Sequence, residues 1–354
     1  NSAGTMTIGG TLTAPLINSG GARVWLVNGG TLNGTLSNSG ILTGTGNVTG
    51  QITNGGQILV ENGNTLTAGI PIDNRGYVRV TGTLDGALIN KVNSTTKLDG
   101  GTINKTVNNA GIMTGNGTIK GKLDNIGCAY IGGQMAGVTN SGRLITDGVL
   151  NVESLVNTGT VRVNTGEELA STTAIDNQKG LIQVDGKLRA GLVNGADADV
   201  LLNGGTITGS VTNNGWLGGR GTISNSVLNG GTLVTNGQMT ITNLTNTGKT
   251  NVKAGTTLAS ANVIDNQGTL DLAGTLDADL TSNADATTAL TGNSVITGNV
   301  RNNGTLLGNG TIEGFLTNSG LTNVGAGQSL SAKKTFNTDR LAISAVRFAA
   351  ADAF

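Results

Sequence analysis

Asn302-Asn-Gly-Thr-Leu-Leu-Gly-Asn-Gly-Thr-Ile-Glu-Gly-Phe-Leu316 carries the framework N-x-G-x-[LM]-x-G-x-G-x-[VI]-x-[GN]-x-[ILV]. The framework recurs from Asn38 (Leu42, Gly44, Gly46, Val48, Gly50, Ile52) and from Asn109 (Met113, Gly115, Gly117, Ile119, Gly121, Leu123). A further copy starts at Asn213 (Leu217, Gly219, Gly221, Ile223, Asn225, Val227). Apolar residues and glycines fall at alternate places, the period of a half-buried strand. Thr158–Val163 and Gly268–Leu272 repeat the alternation: Val161 and Val163, or Leu270 and Leu272, face one side, and Arg162 or Asp271 faces the other. Helix is a poor competitor, because Gly and β-branched residues fill these runs and no 3.6-residue stripe persists.

Working outward, an apolar-x-Asn marker recurs with Asn at 18, 38, 54, 74, 90, 109, 125, 140, 157, 177, 194, 213, 229, 246, 266, 283, 302 and 318. Successive markers lie 15 to 20 residues apart, and Asn283 is the poorest match, displaced by one residue. Such a period marks a solenoid, in which each coil cannot bury its inner face alone but stacked neighbours can. The expected fold is all-β, a parallel β-solenoid of about 18 coils, about 85 Å long at the rise between paired strands. Asparagines at matching corners either stack into amide ladders or supply left-handed turn conformations.

Above the coil lies a four-coil module. Residues 54–125, 157–229 and 246–318 share the order of coil lengths, and Ile72-Asp73-Asn74, Ile175-Asp176-Asn177 and Ile264-Asp265-Asn266 fall at one module position. Residues 18–54 and 318–338 read as partial modules, so 1–338 is expected to be a single solenoid. Residues 339–354 change character, losing Asn and Gly and gaining Ala. This segment is either a short capping helix with Leu341, Ala345 and Phe348 on one face or a strand used in assembly.

Composition limits the chemistry. The 354 residues carry 21 basic and 21 acidic side chains, no His, one Cys and 2% aromatics. No net field draws a nucleic acid or an anionic membrane, and no apolar run is long enough for a membrane-spanning helix. Without His, Ser-His-Asp and Cys-His catalysis are excluded. The lone Cys128 reads as an inert small apolar residue. The four G-x-G pairs sit inside strand patterns with no following helix, so a turn or packing role is expected rather than nucleotide binding. Carboxylates two apart, Asp197 with Asp199 and Asp277 with Asp279, are the remaining acid–base candidates, and solvated surface charge is the plainer reading. Trp25, Trp216, Tyr77 and Tyr130 are spread over different coils, and threonines are frequent but in broken ranks, which argues against ice binding. No residue is assigned a catalytic, cofactor-binding or metal-binding role.

At the N-x-G-x-L-x-G-x-G-x-I-x-G copies the chain resembles passenger regions of bacterial autotransporter adhesins and filamentous-haemagglutinin-like exoproteins, over about residues 16–338. The resemblance implies a right-handed parallel β-helix, export to the cell surface or extracellular space, and a non-enzymatic part in adhesion, aggregation or surface structure. The implied partners are further copies, by end-to-end stacking of coils into a filament, and surface glycans or neighbouring cells. The alternative is a carbohydrate-active β-helix enzyme, a polysaccharide lyase or hydrolase using Asp277 or Asp279.

Overall fold

A computed structural model describes residues 1–338 and the strand Leu341–Ile343. The described residues contain strands and turns and no helix, and the strands stack in parallel register as a β-solenoid of about 18 turns. Two compact units divide the chain, 1–175 and 176–354.

In each unit a coil contributes three short strands, and equivalent strands lie over one another. The first stack is the apolar-x-Asn strand: Leu36, Ser37 and Asn38 pair with Ile52, Thr53 and Asn54 in unit 1, and Leu192, Val193 and Asn194 pair with Val211, Thr212 and Asn213 in unit 2. The second stack runs through Tyr77–Val80 in unit 1 and Thr269–Leu272 in unit 2. The third runs through Thr83–Asp85 and Thr275–Asp277. Inward positions form continuous apolar rows, as with Val60, Val80 and Leu98 or Leu258, Leu276 and Ile296, all essentially without exposure. Val161, Val163, Leu270 and Leu272 are buried as the alternation requires. Each such side chain contributes about 1.5–3 kcal/mol on burial, which lets a core form with almost no aromatic residue.

The asparagines resolve into amide ladders. In unit 1, Nδ2 of Asn54 donates to Oδ1 of Asn74 at 2.8 Å, Asn74 to Asn90 at 2.7 Å, and Asn90 to Asn109 at 2.7 Å. The run extends from Asn18, which itself accepts from Asn1 Nδ2 at 3.0 Å, up to Asn157. In unit 2 it runs from Asn177 to Asn266. These side chains are buried, and the left-handed alternative fails because the positive-φ non-glycine residues are Asn28 and Asn93, neither of them in a ladder.

The N-x-G signature follows from the same corner. Asn54 Nδ2 also reaches the carbonyl oxygen of Gly56 at 3.3 Å, while the amides of Gly55 and Gly56 donate to the Asn38 carbonyl of the preceding coil at 2.7 and 2.9 Å. The backbones come so close that a Cβ on Gly56 would lie 2.2 Å from the Gly40 oxygen. The first glycine of each G-x-G pair is equally constrained. Gly219, for example, has φ +118°, and a Cβ there would sit 1.9 Å from the Leu202 oxygen. Only glycine meets both demands.

Coil length is set by which corners carry a turn. The 20-residue coil from Asn54 to Asn74 holds a turn closed by Asn64 N to Glu61 O at 2.9 Å, and the 19-residue coil from Asn90 to Asn109 one closed by Ser94 N to Lys91 O at 3.1 Å. One marker needs correction. Ser282, not Asn283, lies in the ladder column, paired with Asn266 on one side and Asn302 on the other. Asn283 begins the adjoining turn, and its Nδ2 donates to Asp265 Oδ1 at 2.5 Å. At the C-terminal end, Leu341–Ile343 form a strand in parallel register with Thr322–Val324 rather than the start of a helix. The rest of 339–354, Ala345 and Phe348 included, lies outside the described residues.

Candidate functional site

The carboxylate candidates are all exposed; Asp199 and Asp277 lie on strands, Asp197 in the turn before Asp199. Asp199 is an outward residue of the second stack, facing Leu181 and Trp216 on the neighbouring rungs. Asp277 ends a third-stack strand opposite Ala259, and Asp279 lies in the corner beyond it. Asp277 Oδ1 accepts from Thr297 Oγ1 at 2.7 Å, and Asp279 Oδ1 accepts from the Asn299 amide at 2.6 Å. Asp277 and Asp279 thus tie their corner to the next coil, and the structure does not bring Asp199 to them. No group of three or more metal-ligating side chains occurs among the described residues.

The scattered aromatics separate into two kinds. Trp216 is half-buried and lies flat across Gly218, where an added Cβ would meet ring carbon Cζ2 at 2.2 Å. That is local packing. In unit 1, Trp25, Tyr77 and Tyr130 all lie on the outward face of the second stack. Trp25 is three rungs from the Tyr77–Val80 strand, through Trp25–Thr43, Thr43–Leu59 and Leu59–Arg79. Tyr130 is three rungs further, through Arg79–Lys97, Lys97–Thr114 and Thr114–Tyr130. At the rung spacing of a sheet each interval is roughly 14 Å.

The same outward positions carry Arg23, Arg79, Lys97, Arg143 and Arg162. Carboxylates share two of these strands: Asp99 follows Lys97 two residues on in Thr95–Ile103, and Asp147 lies in Arg143–Val152. Arg79 donates through Nε at 3.1 Å and Nη2 at 2.6 Å to Asp99 Oδ2, with Lys97 Nζ at 3.8 Å from the same oxygen. The hydrogen bond from Arg79, and then the charge of Lys97, hold the Asp99 carboxyl below its ordinary value. The charge of Asp147, then that of Glu167, pushes the Tyr130 hydroxyl up, so it stays protonated as a donor. Cys128 is half-buried on this face.

Sequence reading did not find this face. The corner between the first and second stacks varies in length, so Trp25 lies seven residues after its ladder asparagine and Tyr130 five after its own, though both fall in the column of Arg79, two places along the strand from Tyr77. Only strand register lines them up. Threonines align better than the sequence suggests: Thr65, Thr83, Thr102 and Thr118 form one unbroken line on the third stack. The adjoining line begins Thr67–Asp85, so there is no second flat rank. No protein-family model matches the chain, and no curated protein matches it.

Proposed function

We propose that this chain is a non-enzymatic structural protein, exported to a bacterial surface or matrix, whose stacked coils display outward side chains for adhesion or self-association. The observation that carries this reading is the division of labour along each strand. Inward positions repeat within narrow limits, Leu, Ile or Val followed by Asn, while the residue between them varies freely: Ser37, Thr53, Asp73, Ile89 and Asn108 on successive rungs. A scaffold that fixes its interior and frees its exterior suits display over long surfaces, because outward substitutions away from special features cost little stability. The resemblance to adhesin passengers agrees with this reading, and head-to-tail stacking of copies is its assembly form.

The test is display of the chain on the surface of a non-clumping bacterium, with electron microscopy of the purified protein across a concentration series. Clumping of the displaying cells, or rods that lengthen with concentration, is the expected result. Dispersed particles together with unaltered cells would contradict it. Release of oligosaccharides from a polysaccharide panel, abolished by Asp277→Asn or Asp279→Asn, would establish the enzymatic alternative instead.

A further inference from the structure

The third-stack threonine line of unit 1 runs on into amides. Thr65, Thr83, Thr102 and Thr118 continue in register into Gln134 and Asn151, an uncharged hydroxyl or amide on each of six successive rungs. Among the described residues, none of these six side chains hydrogen-bonds within the protein. Three shallow cavities of about 260, 540 and 380 Å³ lie end to end along the line, the first two meeting at Gly100 and the last two at Thr118 and Gln134. Together they touch all six side chains, a distance of about 24 Å at the rung spacing. The groove is open for a local reason. Gly100 and Gly148 turn the corner between the second and third stacks at φ +81° and +76°, and a Cβ on either would meet nothing within 4 Å.

The chemistry of the lining narrows what can lie there. Its charges are one cation, Lys120, and two carboxylates, Asp147 and Glu153, too few and too mixed to select a polyion. A peptide strand finds no edge to join, because these third-stack strands are already paired on both sides. Hydroxyls and amides each donate and accept, as sugar hydroxyls do, and an extended β-1,4-linked chain advances by about one rung per ring. Val149, 50% exposed, lines the largest cavity and offers an apolar contact to the C–H face of a ring.

We propose that this groove of unit 1 binds an extended, uncharged polysaccharide strand lying along the stacking direction. The hydroxyl and amide line bonds sugar hydroxyls on successive rungs, and Val149 packs against one ring. The proposal rests on the display reading and specifies what is held.

The experiment is calorimetric titration of the whole chain with cellohexaose, xylohexaose and mannohexaose, beside maltohexaose and hexagalacturonate. At least one of the three extended neutral hexasaccharides is expected to bind, more tightly than its disaccharide and with an affinity that salt leaves unchanged. Maltohexaose, whose α-links curve the chain, is expected to bind more weakly. Thr102→Val/Thr118→Val/Gln134→Leu keeps the side-chain shapes, removes three hydrogen-bonding groups and should weaken binding roughly tenfold or more. Thr206→Val/Thr222→Val, a neighbouring pair in unit 2, should leave binding unchanged. Circular dichroism and melting temperature should match wild type in both variants. Absence of binding by all three extended sugars, binding to hexagalacturonate alone, equal binding of maltohexaose, or full affinity in the triple variant would overturn the proposal. Cell clumping that persists without hexasaccharide binding would remove the groove and leave the display reading standing. Hexasaccharide binding by a chain that neither clumps cells nor forms rods would uphold the groove and remove the display reading.

Discussion

Asn90 in unit 1 and Ser282 in unit 2 occupy the same place in the same kind of coil. Each ends a first-stack strand, each is followed by a four-residue turn, and each has a buried threonine six residues on, Thr96 or Thr288. Around Asn90 the ladder is complete: it accepts from Asn74 and donates to Asn109, both at 2.7 Å. Around Ser282 it is broken. Asn266 Nδ2 has no amide to donate to and keeps the bond to the Thr287 carbonyl at 3.2 Å, Ser282 Oγ accepts from Thr288 Oγ1 at 3.2 Å, and Asn302 Oδ1 is buried without a partner. Yet the backbone register is unaltered, with Ile264, Leu280 and Val300 still paired and buried. The apolar rows and main-chain hydrogen bonds therefore set the coil, and the amide ladder adds stability to a register that already exists.

The largest expected effect comes from breaking the intact ladder. Asn109→Ala strands the Asn90 donor and the Asn125 acceptor together, so chemical denaturation should show a loss of about 3–4 kcal/mol. Asn302→Ala should cost less, about 1–2 kcal/mol, because its Oδ1 has no bond to lose and only the bonds from its Nδ2 to Asn318 Oδ1 and the Leu321 carbonyl disappear. Ser282→Asn sharpens the contrast in the opposite direction. It rebuilds the geometry that Asn90 and Thr96 already share, and should raise stability by about 1–2 kcal/mol. A loss of stability in that variant would show that the Ser282 column has closed up and no longer admits an amide.

The smallest effect is electrostatic. Asp99 has its carboxyl pKa depressed by Arg79 and then Lys97. A depressed carboxylate contributes stability that is present above its unfolded pKa and lost as pH falls through the folded one. Acid melts of wild type and Asp99→Asn should therefore converge at the low-pH end, the wild type holding its slight advantage only above the ordinary carboxylate range. The pair is exposed and screened by salt, so the difference should fade at high ionic strength.

Much of this was legible in the chain itself. The Leu-x-Asn marker and period-two alternation give the coils, and the G-x-G pairs mark corners where backbones nearly touch, as at Gly44 and the Leu26 oxygen, 2.0 Å from an added Cβ. The ladder position of Ser282 was hidden because Asn283 offers the expected residue one place late, and only stacking decides between them. The aromatic face was hidden for a related reason: turns such as Lys91–Ser94 shift each strand against its marker, so alignment on one face is a property of register rather than of spacing. Leu341–Ile343 formed a strand despite their helical pattern, since an unpaired edge of the preceding coil offers main-chain partners that a helix would leave unused.

Side-chain amide hydrogen exchange, measured by NMR on protein labelled at asparagine, probes the stacked amides most directly. Slow exchange is predicted for Asn54, Asn74, Asn90 and Asn109 in unit 1 and for Asn194, Asn213 and Asn229 in unit 2, with Asn266, next to the missing rung, faster than these. Exchange at the rate of free asparagine throughout would mean that the columns are not hydrogen-bonded and that the coils are not stacked as described.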